Sequence, residues 1–66
     1  MTLTEGNYGF LVAKMRKEKG FTQKELANML GFSEGYISKI ENYKANPRIT
    51  TIARIADICG FTLTVK

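Results

Sequence analysis

Apolar residues recur at helical spacing through most of the chain and switch to strict alternation at its end. Tyr8, Leu11, Val12 and Met15 stand at i, i+3, i+4 and i+7, one face of a helix. They predict a first helix over residues 8–19, with Asn7 as N-cap and Gly20 as the residue that ends it. Leu26, Ala27 and Leu30 form a second apolar face. Its start is marked by Thr22 and Glu25 in the S/T-x-x-E spacing of a capping box. Phe21 and Leu26 are spaced for a hydrophobic staple across that start, and Gly31 ends the helix. The pattern then repeats: Ser33 is the N-cap, Phe32 staples Ile37, and Ile37 and Ile40 are the buried positions. Glu34, Gly35, Ser38, Lys39 and Asn42 are left facing outward. A loop follows from Asn42 to Pro47, since proline disfavours helix at Asn46. A fourth helix is expected over residues 49–59, with Ile49, Ile52, Ile55, Ala56 and Cys59 as its core stripe and Gly60 just past its end. Residues 61–66, Phe-Thr-Leu-Thr-Val-Lys, alternate strictly and read as a strand. Met1 to Thr4 also alternate, which suits either a short strand or a loose arm.

The stretch 22–42, TQKELANMLGFSEGYISKIEN, thus reads as two short helices joined by a glycine turn. That arrangement is the helix-turn-helix unit, whose second helix can lie in the DNA major groove. The Thr-Gln-x-Glu-Leu-Ala run, the Gly turn, the Ser cap, the Tyr-Ile-Ser-Lys-Ile-Glu-Asn run and Pro47 fall in one register. In that register the chain resembles the phage repressor and Cro-like helix-turn-helix family of bacterial and phage regulators, over roughly Tyr8 to Phe61. The resemblance implies an all-α, four-helix, repressor-like DNA-binding domain. Residues 1–66 would form this single domain, with a short C-terminal strand where many family members have a fifth helix. It also implies a pair between Arg16 and Glu41 that pins the first helix to the recognition helix. Two departures stand out. Glycine is usual after Glu-Asn, and this chain has Tyr43, so either Tyr43 accepts a left-handed backbone or the turn differs. Arg48 stands where serine often caps the last helix.

The groove geometry points to Glu34, Gly35, Ser38, Lys39 and Asn42 as base-facing positions, and the resemblance points to Glu34, Gly35 and Lys39 among them. Lys39 can donate to guanine O6 and N7, Glu34 can accept from cytosine N4, and Ser38 suits any base. Gly35 either admits a close backbone approach or leaves its base unread. Glu34 either filters sequences or only complements the helix dipole. Gln23 resembles the glutamine that anchors the first motif helix on the DNA backbone. Tyr36, Asn42, Lys44 and Arg48 are placed for phosphates, although Tyr36 is also large enough to serve the core.

Composition narrows the partners and chemistry. The net charge of +4 suits a polyanion as well as it suits simple solubility; the two-helix unit tips the balance to double-stranded DNA. Histidine is absent and Cys59 is the only cysteine, so a zinc site, a histidine-based catalytic dyad and an internal disulfide have no ligands to use. No enzyme activity, cofactor or metal is expected. The chain has no run of eighteen apolar residues and no signal-peptide pattern, so a cytoplasmic location is expected. A chain of 66 residues buries only about 60% of its unfolded surface. A homodimer is therefore expected, using Phe61, Leu63 and Val65 of the tail; the alternative is pairing of the tail with residues 2–4 of its own or a neighbouring chain.

Three functions follow from these features. The first is a dimeric, sequence-specific transcriptional regulator on a two-fold operator, controlled by concentration, dimerisation or a partner because the chain offers no effector domain. The second is a protein-interaction module, such as an antitoxin whose tail engages a toxin and whose DNA binding serves autoregulation. The third is a domain of this fold that has lost DNA binding.

Overall fold

The computed structural model describes residues 2–65. Met1 and Lys66, the outer ends of the two alternating stretches, lie outside the described residues. The elements run β1 (Thr2–Leu3), α1 (Tyr8–Lys19), α2 (Gln23–Leu30), α3 (Glu34–Glu41), α4 (Ile49–Ile58) and β2 (Thr64–Val65). The result is the expected small all-α domain of four helices, with a short terminal strand pair. Among the described residues no helix is long and apolar enough to cross a membrane.

Helix starts follow the local chemistry where a side chain is free to cap. Thr22 Oγ1 accepts the Glu25 N–H at 3.0 Å, and the Glu25 carboxylate accepts the Thr22 N–H at 2.8 Å. Ser33 Oγ accepts the Tyr36 N–H at 3.2 Å. Asn7 occupies the N-cap position of α1 but makes no side-chain cap bond. Its amide turns to the arm instead, accepting the Thr4 N–H at 2.8 Å and donating to the Thr2 carbonyl at 2.9 Å. Arg48 begins α4 without a side-chain cap.

Three helices end in the same dipeptide. Gly20, Gly31 and Gly60 have φ of 81°, 76° and 77°. The phenylalanine after each closes the helix from the next position. Phe21, Phe32 and Phe61 donate N–H to the Arg16, Ala27 and Ala56 carbonyls at 3.0, 2.9 and 2.8 Å, the six-to-one bond of a Schellman motif. The rings then pack against the core. α3 closes the same way without glycine: Tyr43 takes φ 61° and Lys44 donates N–H to the Lys39 carbonyl at 2.7 Å. Of the two possibilities left by Tyr43, the left-handed backbone is the one the chain adopts.

The core is centred on Val12, Met15, Leu26, Ile37, Ile40 and Ile55, all essentially removed from solvent. Leu11, Ala27, Leu30, Ile52, Ala56 and Cys59 complete the helical faces expected from spacing. Burial pushes the Cys59 thiol above its ordinary pKa. Ile49 departs from the expected stripe and is 48% exposed. It is the first residue of α4, and the helix meets the core only from Ile52 onward. Tyr8 is partly buried; its hydroxyl donates to the Ala45 carbonyl at 2.9 Å.

The tail is shorter as a strand than its alternation suggests. Phe61 closes α4, Phe61 and Leu63 lean on the core, and Thr64–Val65 form the strand. These pair in parallel with the chain's own arm, Thr2 opposite Thr64 and Leu3 opposite Val65. Leu3 is thereby buried, a core position not anticipated from the sequence. Phe61 and Leu63 are partly buried and Val65 is 55% exposed.

Candidate nucleic-acid interface

α2 and α3 are separated by Gly31, Phe32 and Ser33. The glycine ends one helix and the serine starts the next, so the two axes change direction within a single short turn. α3 then buries only Ile37 and Ile40. Glu34, Gly35, Lys39 and Asn42 are exposed along its outer side, with Ser38 half-buried beside them. This face carries the positions that spacing assigns to base contact. Glu34 lies in the first turn, where a carboxylate complements the positive end of the helix dipole.

Behind that face lies a buried ion pair. Arg16 Nε donates to Glu41 Oε2 at 2.7 Å and Nη2 donates to Oε1 at 3.0 Å, a two-pronged match of guanidinium to carboxylate. Arg16 Nη1 donates to the Phe21 carbonyl at 2.9 Å, tying in the turn between α1 and α2. Gln23 Nε2 adds a bond to Glu41 Oε1 at 3.1 Å. Three helices therefore meet at one carboxylate: α1 through Arg16, α2 through Gln23, and α3 through Glu41 itself. The bond to Glu41 holds the Arg16 guanidinium still more firmly protonated, outweighing the opposing effect of burial. The Arg16 guanidinium offsets the Glu41 carboxylate, so the outward charge at this end of α3 comes from the exposed Lys39 and Lys44.

The remaining positions divide. Gln23 stands at the head of α2, and its amide has one N–H engaged by Glu41 and a second not required by that bond. Asn42 folds back, donating to the Ser38 carbonyl at 2.8 Å and the Ser38 hydroxyl at 3.4 Å. Tyr36 packs edge-to-face on Phe32, centroids 5.1 Å apart, and leans on the core. Arg54 of α4 also lies over the Phe32 ring, its Cζ 6.0 Å from the centroid. Lys44 and Arg48 are exposed in the loop and at the head of α4.

Sequence reasoning missed a contact between α1 and the end of α3. The Tyr43 ring meets Tyr8 edge-to-face, with centroids 4.9 Å apart, and its hydroxyl accepts the Phe10 N–H at 3.0 Å. Gly9 makes the approach possible, because a Cβ there would lie 2.7 Å from the Ile40 carbonyl oxygen and 3.0 Å from the Tyr43 ring. Two signals point to it: a glycine inside α1, and a tyrosine where a left-handed residue is required.

Comparison with known proteins agrees with this geometry. A family model described as Helix-turn-helix matches residues 12–66. The ImmF control region 10 kDa protein of Bacillus phage phi105 is 42% identical over 57 residues, which cover 86% of this chain and 63% of that protein. An uncharacterized HTH-type transcriptional regulator of Sinorhizobium fredii, y4dJ, is 40% identical over 48 residues, covering 73% of this chain and 62% of its own length. A third relative, the uncharacterized HTH-type transcriptional regulator YqaF of Bacillus subtilis, is 36% identical over 52 residues, covering 79% and 68%. The chain spans less than two thirds of the length of the first two of these relatives. The family match runs from within α1 through both helices of the motif to the tail, and the chain accordingly belongs to the helix-turn-helix family of DNA-binding transcriptional regulators, of the Cro/C1 type.

Proposed function

We propose that the protein is a dimeric, sequence-specific transcriptional repressor that binds a two-fold operator in double-stranded DNA. The observation that carries this reading is the outer face of α3, left open by the core and braced from behind by the Arg16–Glu41–Gln23 network. A helix held at a fixed angle loses little freedom when it enters the groove, so its contacts are not offset by ordering. In this reading Lys39 reads guanine, Glu34 accepts from cytosine, Ser38 can contact any base, and Gly35 brings backbone close to the base edges. Phosphates are met by the second N–H of Gln23, the hydroxyl end of Tyr36, Asn42, Lys44 and Arg48. The tail residues Phe61, Leu63 and Val65 join the two copies; Val65 offers the most exposed apolar surface of the three. Repression is supported by the phage relative, whose name places it in a control region. The site of action is DNA in the cytoplasm.

Selection of bound duplexes from a random pool at physiological salt tests the proposal. Recovery of an inverted repeat with half-sites one helical turn apart, roughly 34–36 Å, is the expected result. Weak binding without a motif, vanishing as salt rises, would reduce the interaction to charge attraction. The search would then turn to a protein partner, such as a toxin, on the tail.

A further inference from the structure

We infer that Tyr43 is a positioning residue of the DNA-binding surface: with Tyr8 it clasps the 42–46 loop to the head of α1 and so fixes where Lys44 meets the DNA backbone. The inference rests on the DNA-binding reading above.

Glycine supplies the left-handed residue at the ends of α1 and α2 and just past α4, and tyrosine supplies it after α3. A bulky residue persists in that conformation only where its surroundings hold it there. Tyr43 is held twice. Its ring sits against Tyr8, and its hydroxyl accepts the Phe10 N–H, a first-turn donor that the Asn7 side chain leaves uncapped. The loop is also held from the opposite direction, since the Tyr8 hydroxyl donates to the Ala45 carbonyl at 2.9 Å. One tyrosine thus reaches from loop to helix and the other from helix to loop. Gly9 provides the room; any side chain there would collide with α3 backbone oxygens. Lys44 lies between the two clasped residues, its N–H closing α3 and its side chain exposed. With the backbone fixed on both sides, only side-chain torsions of Lys44 remain to be ordered when it meets a phosphate.

The test compares the wild type, Y43F, Y43G, K44A and Y43G/K44A on the duplex returned by selection, across a range of salt, with melting curves for each. The expected result is a cooperatively folded Y43G that binds roughly tenfold more weakly, with a salt slope lower by about one, the size of one phosphate contact. Y43F should fall between it and the wild type. Adding Y43G to K44A should cost less than about twofold, because both changes remove the same contact. Y43G that binds like the wild type, or losses that multiply in the double variant, would overturn the inference. Should Y43G fail to fold, Y43F decides, and wild-type affinity in that variant sinks the idea. A wild type that selects no duplex removes the DNA-binding reading and this inference together, whereas a binding wild type with an indifferent Tyr43 removes this one alone.

Discussion

Arg16 exposes only 9% of its surface, and its guanidinium holds two segments at once, the end of α3 and the turn before α2. Removing one member of a buried pair strands the other charge, so Arg16→Ala is expected to cost about 3 kcal/mol in urea denaturation. Arg16→Lys should recover less than half of that, because an ammonium cannot span both carboxylate oxygens. An unchanged midpoint for Arg16→Ala would show that the network contributes nothing. Lys39 stands at the other extreme, on the exposed outer side of α3. Lys39→Ala should leave the melting temperature alone, cost about 1–3 kcal/mol on the selected duplex, and relax preference at one base pair. A uniform loss across unrelated sequences would instead make Lys39 a phosphate contact. The Arg16–Glu41 pair is legible in the sequence through the family resemblance. The share that Gln23 takes in the same carboxylate is not, since that bond depends on how closely the head of α2 approaches the end of α3.

At the scale of elements, caps are the most legible feature, because a capping box is written in four consecutive residues. The Glu25 carboxylate is held below its ordinary pKa, first by the Thr22 backbone N–H and then by the Thr22 hydroxyl. A carboxylate whose folded pKa is depressed adds stability above its unfolded pKa and loses it as pH falls through the folded value. Thermal melts between neutral and acid pH should therefore show a smaller acid loss for Glu25→Gln than for the wild type; parallel curves would remove Glu25 from the account. Asn7 has the residue type of a cap without the bond. Its side chain has two claimants, helix and arm, and the second exists only once the arm has folded. Crossings between helices are not legible at all. Gly9→Ala should raise helix propensity by about 1 kcal/mol, but the new Cβ would lie 2.7 Å from a backbone oxygen that cannot swing aside. The expected net effect is destabilisation, with an overpacking cost of about 1–3 kcal/mol, read from denaturant midpoints. A more stable Gly9→Ala protein would mean that α1 and α3 can part without loss.

On the scale of the molecule, a small core is extended by its two ends. The arm contributes Leu3 to the core, and the tail contributes Phe61 and Leu63 as partial cover. Pairing of β1 with β2 within the chain accounts for one edge of the tail strand and leaves Val65 outward. If the tail joins two copies, Val65→Asp should leave the secondary structure and the monomer core intact while shifting sedimentation from dimer to monomer and weakening operator binding. A dimer that survives this substitution would place the interface elsewhere.

Residues close together in the chain suffice to specify the four helices, most of their caps, most of the buried positions and the outward face of α3. Each of these is set within one or two helical turns, through hydrogen-bond reach and a period of 3.6. Beyond the Gln23 bond and the turn of Asn7 to the arm, three features needed the assembled fold. Leu3 is buried because the arm lies beside a tail at the far end of the chain. Ile49 is exposed because α4 begins before it reaches the other helices. Tyr43 keeps a left-handed backbone because α1, with no side chain at Gly9, stands close enough to hold its ring and hydroxyl. Each of the three depends on a distance between segments remote in sequence, and local pattern carries no record of such distances.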